Sequence, residues 1–179
     1  MCTPEPSGNI ASMTIQNVGA DGGTAPKPVN AARGGAPSLL IATFVGLVHA
    51  GVTFYWASGG QFLLSTVSDR ATSIFDGNEQ WLYPVGAIKA LFALLPLLYL
   101  LMRRKLKKAR VVLGIGALVL ILWGGINTVT ANLNFFGVLE SGVGGNELIG
   151  HAFVWDPLFF VWGMAVVVFL VSTRKLKDA

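Results

Sequence analysis

Four apolar runs dominate the chain: Ser38 to Ser58, Leu82 to Met102, Val111 to Ala131 and, less cleanly, His151 to Ser172. Each holds about 20 residues, which at a helical rise of about 1.5 Å per residue matches a hydrocarbon layer of roughly 30 Å. In lipid every backbone amide must be satisfied within its own segment, so the runs must be helices unless a barrel closes, and they show no alternation of period two. The expected fold class is therefore all-α, an integral membrane bundle of four transmembrane helices over about 38–60, 82–102, 111–131 and 151–172. Composition agrees: 12% of the 179 residues are charged and 53% are hydrophobic, whereas about a quarter of a water-soluble chain is charged.

The segment 1–37 is rich in Gly, Pro, Ser, Asn and Thr without an apolar period, and reads as a disordered cytoplasmic tail, because such a composition buries too little surface to offset chain entropy. No cationic start precedes a short apolar core there, so the first span is expected to act as an uncleaved anchor. Met13 is an alternative start to Met1. One cysteine, Cys2, allows neither an internal disulfide nor a thiolate metal cluster.

Orientation follows from the cations. Apart from Arg70 and Lys89, every Lys and Arg lies on one side: Lys27 and Arg33 before the first span, Arg103, Arg104, Lys105, Lys107, Lys108 and Arg110 between the second and third, and Arg174, Lys175 and Lys177 in the basic end 174–179. The positive-inside rule then places both termini in the cytoplasm. Trp56, Trp81, Tyr83, Phe135, Phe136 and Trp155 would form an aromatic belt at the opposite face. The run Arg103 to Arg110 is expected to contact anionic headgroups or to act as a topology signal alone. Clustering of the basic residues beside apolar spans argues against nucleic acid as the partner of the +4 charge.

Polar residues inside the spans nominate a site. His49, Thr53, Trp56 and Gly60 recur at helical spacing on one face of the first span, which should point inward. Lys89 lies about two turns into the second, beside Gly86, Ala90 and Ala93. Gly116, Trp123, Asn127, Thr130 and Asn134 share a face of the third, and Asp156 and Gly163 one of the fourth. An ion pair of Asp156 with Lys89, supported by Asn127 and Thr130 with His49 below, would make a polar pocket of His49, Trp56, Lys89, Asn127, Thr130 and Asp156 opening outward. Each member has a plainer alternative. Asp156-Pro157 can start a helix with Asp156 at the interface, and Tyr83-Pro84 can do the same and leave Lys89 to snorkel. His49 can satisfy itself on a neighbouring carbonyl, and Asn127 can be helix-packing glue.

The two histidines, His49 and His151, fall at different depths and cannot share a haem, so no metal and no cofactor is expected. No HExxH, CxxC, GxSxG or phosphate-binding glycine loop occurs. The loop GQFLLSTVSDRATSIFDGNEQ begins apolar and is expected to prolong the first helix before turning at Asp76-Gly77.

His49 with Tyr55-Trp-Ala-Ser-Gly-Gly60, the basic hairpin, Gly137-Val-Leu-Glu-Ser-Gly142 and Trp155-Asp-Pro-Leu-Phe-Phe160 resemble the small bacterial four-helix membrane proteins of the domain-of-unknown-function 3995 family. The resemblance covers about residues 38–172 and carries over His49, Trp56, Gly59, Gly60, Asp156 and Pro157. It implies a multi-pass inner-membrane protein and brings no established activity. The expected function is a binding or accessory membrane component that recognises a lipid or a partner, the partner being a second copy of the chain in a homo-oligomer or another membrane protein. The alternatives are a small oligomeric transporter or a lipid-modifying enzyme with His49 as acid and base.

Overall fold

A computed structural model describes residues 30–67, 69–102, 108–140, 142 and 144–174, with the side chains of 30–34 and 69–71 excepted. Among them are six helices and no strand: α1 Asn30–Ala57, α2 Asp69–Phe75, α3 Leu82–Leu101, α4 Ala109–Phe135, α5 Gly145–Phe153 and α6 Trp155–Ser172. Four helical segments are long and apolar enough to cross a membrane, within α1, around α3, along α4, and across α5 and α6 together. The expected tail over 1–29 lies outside the described residues. Residues 30–37, expected in that tail, instead form the first turns of α1, running through Pro37.

α1 packs against α3 and α6, and α4 packs against α6, with only sparse contact between α3 and α4. Small residues set these contacts. A Cβ at Gly46 of α1 would overlap the Trp162 indole of α6 and the Ala93 methyl of α3, so the glycine lets both neighbours close on α1. Gly124 of α4 lies on the backbone of Asp156 and Phe160, and Gly163 of α6 lies on Ala117 and Ile121 of α4. Between the helices sit Ala42, Val45, Leu113, Val166 and the large rings of Trp162 and Phe169, all buried. The outward faces are apolar as well, with Leu40, Phe44, Ile88, Leu91, Ile115, Val119 and Ile126 exposed. A bundle apolar on both faces suits lipid rather than water as its solvent.

The ends of the helices away from the chain termini, here called the far end, hold most of the irregular structure. α1 does not continue past Ala57. Gly60 N–H donates to Tyr55 O and Gly59 N–H to Trp56 O, with Gly59 at φ 88°, the paired bonds of a Schellman stop that a glycine at positive φ allows. The chain then turns through a 3₁₀ segment, Leu64–Thr66, that packs on α5. Asp76-Gly77 is the expected turn, with Gly77 at φ 70°. The fourth apolar run is broken at Val154, so that α5 and α6 are separate helices.

Candidate functional site

The face of α1 carrying His49, Thr53 and Trp56 does point into the bundle. Thr53 Oγ1 donates back to His49 O, four residues earlier, at 2.8 Å, as threonine hydroxyls in helices commonly do. The same oxygen accepts from Lys89 Nζ of α3 at 2.9 Å. Nζ also stands 5.7 Å from the Phe159 ring centroid, within range of a cation–π contact. Among the described residues no carboxylate lies within 4 Å of this ammonium. Two of its three N–H groups thus lack an oxygen partner among those residues.

His49 is 4% exposed and stacks on Phe159, with centroids 4.0 Å apart and rings inclined by 15°. Its Nε2 lies 3.4 Å from Trp155 O. A carbonyl can only accept, so this contact requires the tautomer with the proton on Nε2. The histidine is a joint between α1 and α6 satisfied by a carbonyl, the plainer of its two sequence readings. Trp155, placed by sequence in an interfacial belt, is buried at 6% exposure. Its Nε1 donates to Thr66 Oγ1 at 2.9 Å, and its ring meets Trp56 edge to face at 5.3 Å. Trp81, Tyr83, Phe135 and Phe136 remain exposed.

Asp156 does not pair with Lys89. It lies in the first turn of α6, 1% exposed, and its Oδ2 stands 2.7 Å from His151 Nδ1. The interruption of the helix at Val154 lies between the two residues, and across it His151, five residues upstream, reaches the first turn of α6. Pro157 occupies the first turn as expected, where its missing N–H costs nothing, but burial keeps Asp156 from being an exposed interfacial cap.

Asn127 and Thr130 are likewise not beside Lys89. α4 packs on α6, and the side it turns inward carries Leu113, Ala117, Gly124 and Ala131. The stripe read as inward is largely outward, with Trp123 63% exposed, Thr130 exposed and Asn127 half-buried. The seven-residue spacing of Ala117, Gly124 and Ala131 was the signal for the packed face. Asn132, not singled out by sequence, joins α4 to α5 through Nδ2, donating to Thr128 O at 2.8 Å and Ala152 O at 3.1 Å.

At the other end, Arg110 donates from Nη1 to Thr173 Oγ1 at 3.1 Å and from Nη2 to Leu170 O at 2.6 Å. It satisfies a carbonyl in the last turn of α6. Lys108 is exposed, while Arg103, Arg104, Lys105 and Lys107 lie outside the described residues.

A cavity of about 490 Å³ opens beside Thr53 and Lys89, within the size range of small-molecule sites. Its lining includes Thr53, Trp56 and Lys89, the apolar Leu64, Val67, Phe75 and Val85, the polar Gln61, Thr72 and Ser73, and the carboxylates Asp76 and Glu79 near the turn from α2 to α3. By helical rise Lys89 lies about 10 Å below Leu82, the start of α3. Of the six pocket residues read from sequence, this cavity takes Trp56 and Lys89 and leaves out His49, Asn127, Thr130 and Asp156. Among the described residues no three His, Cys, Asp or Glu side chains gather as a metal site would require.

Comparison with curated proteins and with solved structures finds no match to this chain. Residues 44–166, from the middle of α1 to the middle of α6, match the family described as "Protein of unknown function (DUF3995)", and the chain belongs to that family.

Proposed function

We propose that the protein is a multi-pass component of a bacterial cytoplasmic membrane that binds an amphiphilic ligand in the cavity between α1, α3 and the 58–81 connection. The observation that carries this reading is Lys89, an ammonium deep in a cavity of ligand size with no carboxylate beside it among the described residues. A cation in an apolar span costs about 2.5–3.5 kcal/mol at the helix centre on insertion scales, and such residues usually face a partner or a pathway. The matching ligand carries a phosphate or carboxylate that takes the two remaining N–H groups, and an apolar body that lies against Leu64, Val67 and Val85. The far end faces away from the cytoplasm, and the basic connection from Arg103 to Lys108 rests on anionic headgroups. Acid–base catalysis by His49 gains no support, since its ring is stacked between helices and the residue does not line the cavity.

The test is native mass spectrometry of protein extracted in mild detergent, comparing wild type with Lys89→Leu and with Asp156→Asn, which lies outside the cavity. Wild type and Asp156→Asn should carry the same anionic amphiphile, and Lys89→Leu should lose at least nine-tenths of it, about tenfold or 1.4 kcal/mol, with helical circular dichroism unchanged. Equal retention by Lys89→Leu, or no specific adduct on wild type, would overturn the reading.

A further inference from the structure

The charges lining the cavity are segregated. The deep part holds a cation, Lys89, and the part near the α2–α3 turn holds two carboxylates, Asp76 and Glu79. Among the described side chains, which exclude those of Asp69 and Arg70, neither carboxylate has a Lys, Arg or His nitrogen within 4 Å, just as Lys89 has no carboxylate. Glu79 Oε1 accepts from Gly77 N–H at 3.3 Å, a contact with a backbone amide and not with a cation. Self-neutralisation across the cavity is prevented by distance: ten residues, the first few in a 3₁₀ turn and the rest in α3, separate Glu79 from Lys89 by roughly 15 Å of rise.

A lining of this kind discriminates by sign at both ends. A simple anion is drawn to Lys89 but must be held beneath two carboxylates, and a simple cation is drawn to the carboxylates but repelled at the floor. A molecule with a negative group at one end and a positive group at the other satisfies both, and the apolar lining of Val67, Phe75 and Val85 accepts its uncharged part. Resting on the binding function proposed above, we infer that the cavity is selective for a zwitterion, its phosphate or carboxylate on Lys89 and Thr53 and its ammonium at Asp76 and Glu79. The same chemistry is offered by an aminophospholipid headgroup and by a free zwitterion, and the experiment separates the two sources.

Wild type, the double variant Asp76→Asn with Glu79→Gln, and Lys89→Leu are placed in nanodiscs of equimolar phosphatidylethanolamine and phosphatidylglycerol, and the lipids retained after ejection are counted by native mass spectrometry. Soluble phosphoethanolamine is then added as competitor, with glycerol phosphate as the anion lacking an ammonium. Wild type should retain a zwitterionic lipid over the anionic one by at least tenfold, or take up soluble phosphoethanolamine over glycerol phosphate by the same factor. The first result assigns the lipid, the second the free molecule. The double variant, altered only at the carboxylates near the α2–α3 turn, should still bind but with a preference near one.

An unchanged preference in the double variant, or equal binding of anion and zwitterion by wild type, overturns the zwitterion while Lys89-dependent binding survives. Binding that Lys89→Leu leaves intact overturns the binding function itself. Absence of Lys89-dependent binding for all four probes overturns both.

Discussion

Lys89 carries three ammonium protons, and the described residues supply one oxygen, Thr53 Oγ1, and one aromatic face, Phe159. A residue kept for stability should lose stability when truncated, whereas a cation kept for a ligand is a burden in the empty protein. Lys89→Met keeps the stem and removes the charge. It is expected to raise the melting temperature of the ligand-free protein in detergent by a few degrees, corresponding to about 1 kcal/mol. Thermal unfolding followed by circular dichroism measures this, and a clear fall would assign Lys89 a structural role instead. Sequence spacing brought His49, Thr53 and Trp56 to one inward face, and that much was legible. Their partners were not, because Trp155 O, Phe159 and Lys89 come from helices whose pairing is decided by the fit of Gly46 against Trp162 and Ala93, which no local pattern encodes.

At the scale of elements the contact of α4 with α6 is the most demanding, since it brings backbone against backbone. A Cβ at Gly124 would lie 2.5 Å from Phe160 N and 2.6 Å from Asp156 O, where neither neighbour can swing away, whereas one at Gly114 would meet only Leu170 Cδ1 at 4.0 Å. Gly124→Val should therefore cost about 3 kcal/mol or more and broaden the gel-filtration profile, and Gly114→Ala should lie within about 0.5 kcal/mol of wild type. Equal melting temperatures for the two variants would show that the helices are not in this contact. The apolar runs made α1, α3, α4 and α6 visible as helices. Apolarity could not show which side of α4 packs, because in lipid the outer side is apolar too, and only the spacing of the small residues Ala117, Gly124 and Ala131 marks the packed side. The break at Val154 was hidden for a related reason: Val154 and Trp155 suit a continuous apolar helix, whereas His151 engages Asp156 and Trp155 reaches Thr66 across that break. The expected pair of Lys89 with Asp156 gave way to this local partner.

The whole molecule is polar along its long axis. The cavity, its carboxylates and the buried Trp56–Trp155 contact sit at the far end, and Lys108 and the Arg110 clamp on α6 sit at the other. The start of α1 and the end of α6 meet at Gly35 and Thr173, and Arg110 of α4 reaches the same Thr173, so these helix ends share a face with Lys108. In the orientation proposed above, that face lies in the cytoplasm, because translocating segments rich in Lys and Arg is disfavoured. The cavity would then open to the exterior, and a ligand would reach Lys89 from the outer leaflet or from the periplasm. Single cysteines in a Cys2→Ser background test this: Asn78→Cys and Glu140→Cys at the exposed far end, and Lys108→Cys at the other. In intact spheroplasts a membrane-impermeant maleimide should label positions 78 and 140 at once and position 108 only after permeabilisation. The reverse pattern would turn the cavity to the cytoplasm and make its ligand a cytoplasmic one, and labelling of positions 78 and 108 from the same side would remove α3 as a membrane crossing.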